Sequence, residues 1–257
     1  MTNRHFCIIY YGMSEIKIIP IFNQSAPGVW DDFLRIRGAA MEFNYNYDFS
    51  SDEIANALSE YTSEYARKSY SFAFGAYDNK KMVGFIRGNG SKTTATIKCL
   101  YVLPSHQRQS IGHNLLQAAE RSIAPAYTKI ELISLGHAER FYSNHNYTSI
   151  YGANTYIKKL SVPHCYDVPL FGFPARIKRM CSNLFPDLDV SALMSPAAPL
   201  FAHFDLNGNI DGMLIANPQS NRTILSRAKD DWTQKHLARK FDNYKTFVSL
   251  LNMERIK

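Results

Sequence analysis

The residues of this 257-residue chain that could do chemistry crowd into one short stretch. From Cys99 to His113 the sequence reads Cys-Leu-Tyr-Val-Leu-Pro-Ser-His-Gln-Arg-Gln-Ser-Ile-Gly-His. An apolar strand leads through a tight loop, Pro104-Ser105-His106, into a helix opened by Gln107, Arg108, Gln109, Ser110, Ile111, Gly112 and His113. The first turn of a helix carries backbone N–H groups without an intrahelical acceptor, and the helix dipole adds positive potential there. Such a start binds anions. Ser110 and Gly112 are small enough to let a phosphate approach the backbone. No Lys-Ser/Thr follows, which excludes a Walker-type nucleotide loop, and there is no Gly-x-Gly-x-x-Gly fingerprint. An ordinary strand–loop–helix junction has the same outline, so these residues alone leave both readings open.

The elements that must position this stretch follow from periodicity. Glu15–Phe22 reads as a strand, and Val29–Phe43 as a helix with Val29, Phe33, Ile36 and Ala40 on one face. Ser51-Asp52-Glu53 caps a second helix running to about Tyr65. Ser71–Tyr77 and Met82–Arg87 are strands joined by a hairpin turn, Asp78-Asn79-Lys80-Lys81. Thr94–Leu103 is a longer strand with Lys98 facing out. From Cys99 onward it is apolar on both faces, so cover is expected on both sides. The next helix buries Ile111, Leu115, Ala119 and Ile123. Lys129–Leu135 is a strand, Ala138–Asn144 a short helix, and Tyr147–Lys159 one or two closing strands. The order predicts an α+β fold, a mixed and mostly antiparallel sheet with helices on both faces.

With that frame in place, Cys99 to Leu116 resembles the cofactor motif of the GNAT superfamily of N-acetyltransferases. There a strand ending in V-x-P precedes Q/R-x-x-G-x-G/A and an amphipathic helix. Gln107 matches the leading Gln, Ser110 stands where the first Gly is usual, and Gly112 matches the second. Downstream, Ala138-Glu-Arg-Phe-Tyr-Ser-Asn-His-Asn-Tyr147 is similar to the family's A-x-x-F/L-Y-x-x-x-G-F. Asn146 replaces Gly at a left-handed helix stop, which Asn tolerates best. Leu135 occupies a place where many members carry Asn. The resemblance covers residues 14 to 160 and implies a GNAT-type sheet.

The resemblance also implies a mechanism. Backbone amides from Arg108 to His113 would hold the pyrophosphate of acetyl-CoA, the co-substrate. The splayed end of the strand, Leu100, Tyr101 and Val102, would pair with the pantetheine arm as an added strand does. An N–H near Tyr101 or Val102 would stabilise the oxyanion, and Tyr142 would protonate the departing thiolate, unless it is simply a core aromatic. Some members place a Glu on the central strand as general base; here Thr96 and Lys98 stand there, leaving a relayed water or His106. Glu42, Tyr45, Tyr47 and Asp48 form an acidic-aromatic stretch able to receive an amine, the acceptor, or to serve as a plain solvated loop. Two alternatives to acetyl transfer are a GNAT-fold transferase of another acyl or aminoacyl group and a non-catalytic CoA-sensing module.

Composition sets bounds on the rest. Hydrophobic residues make up 46%, and the net charge is +7. The charge suits an anionic ligand, yet the basic residues are scattered apart from Arg227, Lys229, Lys235, Arg239 and Lys240. No nucleic-acid module is recognised, so no nucleic-acid partner is expected. Cys7, Cys99, Cys165 and Cys181 form no CxxC pair, which predicts reduced thiols, no metal site and a cytoplasmic protein. No apolar run is long enough for a membrane span. Residues 1–12 read as an extension, with Met13 as an alternative start.

The remainder, residues 161–257, is expected to be a smaller C-terminal α+β region without a CoA site, packed on the first and shaping its acceptor side or a subunit contact such as a homodimer. Tyr77-Asp78-Asn79 before Gly84-Phe85-Ile86 parallels Asp205-Leu206-Asn207 before Gly212-Met213-Leu214, and Asn89 and Asn217 fall at the same offset. That parallel suggests a degenerate second copy of half the fold, though generic hairpins share the pattern. Asp230–Leu251 reads as a helix.

Overall fold

The computed structural model describes residues 16–22, 28–48, 50, 71–150, 154–161, 167–171, 175–187, 198–217 and 222–255, with 52, 53, 56, 59 and 220 between them. The N-terminal extension lies outside them. So does most of the second predicted helix, of which Asp52, Glu53, Asn56 and Ser59 are described and helical.

The first unit runs β1 (Lys17–Pro20), α1 (Val29–Tyr45), β2 (Ser71–Asp78), β3 (Lys81–Ser91), β4 (Thr94–Val102), α2 (Ile111–Ile123), β5 (Lys129–Ile133), α3 (Glu139–Ser143), β6 (Thr148–Ser149) and β7 (Thr155–Lys159). Its seven strands lie in the order β1-β2-β3-β4-β5-β7-β6. Every pair is antiparallel except β4–β5. The β2–β3 hairpin turns on Asn79 and Lys80, both left-handed at φ 44° and 76°, the conformation whose twist matches a two-residue hairpin.

Apolar spacing decides which helix covers which face. Ile111, Leu115, Leu116, Ala119 and Ile123 press α2 into a cluster with Phe72, Phe74, Ile86, Ile97 and Leu132. Val29, Phe33 and Ile36 of α1 join Phe85 and Tyr77 on the opposite face, with the Phe33 and Phe85 rings stacked 4.2 Å apart. Removing each such side chain from water contributes roughly 1.5–3 kcal/mol.

The sheet opens where the chemistry was expected. Parallel pairing of β4 with β5 begins at Thr94↔Lys129 and ends at Ile97↔Leu132. β5 continues with β7 through Ile133↔Thr155, and the Ser134 N–H then donates to the Asn154 carbonyl. β4 continues with β3 through Val102↔Gly84, after a bulge that leaves Lys98 unpaired. The two central strands therefore diverge into a V beyond Ile97. For this reason Leu100, Tyr101 and Val102 are only half-buried, and the full two-sided cover expected of that strand end is not found.

A second sheet follows from β8 (Asp167–Pro169), α4 (Ala175–Leu184), β9 (Leu200–Phe204), β10 (Ile210–Ala216), β11 (Thr223–Ala228) and α5 (Asp231–Arg255). All its pairs are antiparallel, in the order β11-β10-β9-β8. This repeats β1–β4 in both chain order and strand order, down to the bulge: Val83 is the extra residue in β3, and Asp211 is the extra residue in β10. The parallel between the two hairpins is thus accompanied by a like strand order. β8 and β11 had no clear signal, the former three residues long and ending in a proline, the latter without a fully buried residue. One hydrophobic cluster spans both sheets, with Phe22 5.0 Å from Phe171, 5.6 Å from Phe201 and 5.4 Å from Tyr244.

Candidate active site

The loop between β4 and α2 is built to leave donors unused. Pro104–His106 forms one 3-10 turn, and the Gln107 side chain donates to the Val102 carbonyl at 3.2 Å, pinning the loop to the strand end. Arg108 and Ser110 then take left-handed φ of 61° and 60°. Ser110 is the N-cap of α2, yet its hydroxyl makes no capping bond, and the first turn holds no acidic residue. The first amide in α2 with a carbonyl acceptor is Asn114, bonded to Ser110. Among the described residues, the amides from Arg108 to His113 donate to nothing. Left-handed Ser costs about 1–2 kcal/mol where Gly would cost little, so strain is held in the loop itself.

Gly112 adds space to this row of donors. A Cβ built there would meet nothing closer than the Phe141 ring at 3.6 Å, an ordinary contact. Packing therefore does not demand glycine. What its absent side chain leaves open is the approach to the amides, and this fits a bound pyrophosphate. His113, in the same turn, is tied to α3: its Nδ1 lies 2.6 Å from His145 Nε2, and His145 Nδ1 donates to the Phe141 carbonyl at 2.6 Å. Burial, then the neighbouring His145, lowers the His113 pKa.

At the mouth of the V lies a group of phenols. Tyr142, on α3, is 7% exposed and sits among Phe141, Tyr147 and Tyr156. Burial raises its pKa far above the tyrosine range, with Tyr101, Cys99 and Tyr45 pushing the same way. Tyr101 is pushed up to about 12, mainly by burial and then by Cys99. Asn146, in the turn that follows α3, is left-handed at φ 63°, and the next N–H, of Tyr147, returns to the Tyr142 carbonyl.

The face on the α1 side differs from expectation in one respect. His106 is bound at both ring nitrogens, to Ser105 at 2.8 Å and to Asp78 at 3.3 Å, so it serves the hairpin rather than the V. Thr96 and Lys98 offer no carboxylate, but Thr96 Oγ1 donates at 3.2 Å to Glu131 on β5, its pairing partner just before the fork. Glu131 was missed because it stands on the neighbouring strand, and only the parallel register brings it beside Thr96. Of the acidic-aromatic stretch, Tyr45 reaches across to the loop after β5, its ring 5.1 Å from His137. Tyr47 is hydrogen-bonded to Glu53.

Residues 45–162 match the family model of the acetyltransferase (GNAT) domain. This segment is a GNAT acetyltransferase domain. Solved structures similar to this chain include a GNAT-family acetyltransferase of Staphylococcus aureus, 18% identical, covering 57% of this chain and 99% of its own, with a TM-score of 0.47. The PaiA N-acetyltransferase of Thermoplasma acidophilum, solved with coenzyme A, is 15% identical over 56% of this chain and 99% of its own, TM-score 0.43. A candidate acetyltransferase of Pyrococcus horikoshii is 14% identical over 94% of this chain and 80% of its own, TM-score 0.44. None of the curated proteins matches. Among the described residues, no helix is long and apolar enough to cross a membrane.

Proposed function

We propose that the GNAT domain transfers the acetyl group of acetyl-CoA to a primary amine by direct attack. The observation that carries this reading is the continuity of the site. The open edge of β4 at Leu100, Tyr101 and Val102 runs into the row of unused amides from Arg108 to His113. An extended, amide-bearing arm would lie on the first, and a pyrophosphate on the second. Bound there, acetyl-CoA supplies the activated acetyl group.

The chain's own residues then divide the proton work. Glu131, or a water it holds, takes a proton from the incoming amine on the α1 face. A strand amide at Tyr101 or Val102 stabilises the oxyanion. Tyr142, kept protonated by burial, donates to the leaving sulfur. Residues 161–257 bind no CoA in this reading; they support the domain through the shared core.

A second reading, CoA binding without turnover, draws on Leu135, 44% exposed where a polar cofactor contact is usual in the family. Turnover of acetyl-CoA against a mixed panel of amines, with mass detection of products, separates the two. Acetylated amine is the expected result; CoA binding with no product across the panel would overturn it. Longer acyl-CoA donors in the same assay test the acyl group.

A further inference from the structure

The C-terminal sheet holds a cleft of its own, between the β9–β10 turn and the start of α5. His203 of β9 lines it and is 8% exposed. Its Nδ1 donates to Asp211 at 2.5 Å. Asp211 is the extra residue of the β10 bulge, and bulges re-aim side chains beside sites. With Nδ1–H committed, the neutral ring offers Nε2 as an acceptor, and among the described residues Nε2 has no hydrogen-bond partner.

The other walls are aromatic and acidic. Trp232, in the first turn of α5, is 54% exposed, stands edge-on to His203 at 5.8 Å and is backed by His236, stacked at 5.0 Å. His236 is fixed in turn by Asp167. Gly212 allows this closeness, since a Cβ there would come within 2.5 Å of Thr233. Asp205 and Asp230 complete the rim. Slight desolvation opposes ionisation of Asp205, yet the N–H groups of Asn209 and Asn207 hold its pKa low. The Thr233 N–H does the same for Asp230. The exposed Lys229 also helps to hold the Asp205 pKa low.

This cleft stands at the same end of its half-repeat as the amide row does in the first half, but with opposite polarity. Val83 is replaced by Asp211 at the bulge, and free N–H donors are replaced by acceptors. Among the described residues, no group of His, Cys, Asp and Glu has the arrangement of a metal site. An acceptor nitrogen, carboxylates and an open indole face suit a cation that carries both N–H donors and hydrocarbon. We propose that the cleft binds an organic ammonium ion, a protonated amine whose N–H groups donate to His203 Nε2 and the carboxylates while its carbon body lies on Trp232.

The test uses the full chain carrying Gly112→Asp, which disables the proposed CoA site, and follows 2-phenylethylammonium by calorimetry and tryptophan fluorescence. Saturable binding is expected, with 2-phenylethanol inert. Trp232→Ala and Asp211→Asn should each weaken it at least tenfold; Asn keeps an oxygen acceptor for His203 Nδ1, and Trp232 is largely at the surface. Absence of saturable binding overturns the proposal. So does equal binding of the neutral alcohol, or binding indifferent to both substitutions, which would put the amine on the transfer site instead. If Asp211→Asn does not fold, Trp232→Ala decides alone.

Discussion

Two strand-to-helix junctions in this chain occupy equivalent places in two sheets of like strand order and have opposite fates. Between β4 and α2 lie eight residues, Leu103 to Ser110, which end in a left-handed serine and leave the first turn of the helix uncapped. Between β11 and α5 lie two, Lys229 and Asp230. There the Asp230 carboxylate accepts the Thr233 N–H at 2.8 Å, and Asp231 adds a second negative charge to the turn. One helix start is closed by its own chain, and the other leaves its amides unused. The same strand order thus carries two kinds of helix start, one left open and one capped by its own chain.

The comparison breaks most visibly if the closed state is transplanted. Gly112→Asp puts a carboxylate into the open turn, where like charges across a bound phosphate cost several kcal/mol, so CoA affinity should fall about 10²–10³-fold. The fold should be retained, because the new Cβ meets nothing closer than Phe141 at 3.6 Å and an acid suits a helix start. Calorimetry beside a thermal melt reads both. Tyr142→Phe should lower kcat by roughly 10²–10⁴ with CoA affinity nearly unchanged, as loss of a positioned acid does. Steady-state kinetics with wild-type kcat would return Tyr142 to a core role.

Opening the closed junction should matter less. Asp230→Ala removes a cap and should cost about 1 kcal/mol in urea denaturation, without creating CoA binding, since α5 lacks the long loop. The smallest effect concerns the histidine pair. The His113 pKa is lowered in the folded chain, so below about pH 6.5 the unfolded chain takes up its proton first. Stability should decline as pH falls through the lowered value. His113→Asn, which keeps a donor for His145, should flatten that decline in melts recorded across pH.

Much of this was legible in the residues. The period of Val29, Phe33, Ile36 and Ala40, and of Ile111, Leu115, Ala119 and Ile123, fixes helix faces locally, and Asp78–Lys81 dictates its own turn. Asn146 was readable for the same reason: left-handed backbone selects a short list of residues. Glu131 was not readable, because its place beside Thr96 is created by the register between strands more than thirty residues apart. The strain at Ser110 was equally hidden, since a serine does not declare its φ. The short edge strand β8 and the exposed β11 carry too few buried residues to impose a pattern, and the His203–Asp211 pair exists only through a bulge.

The most direct measurement is a calorimetric titration of the full chain with CoA. One site per chain, lost in Gly112→Asp while the melt is preserved, is the predicted result. Two sites per chain, or unchanged affinity in a folded Gly112→Asp, would contradict the assignment of the open and closed helix starts.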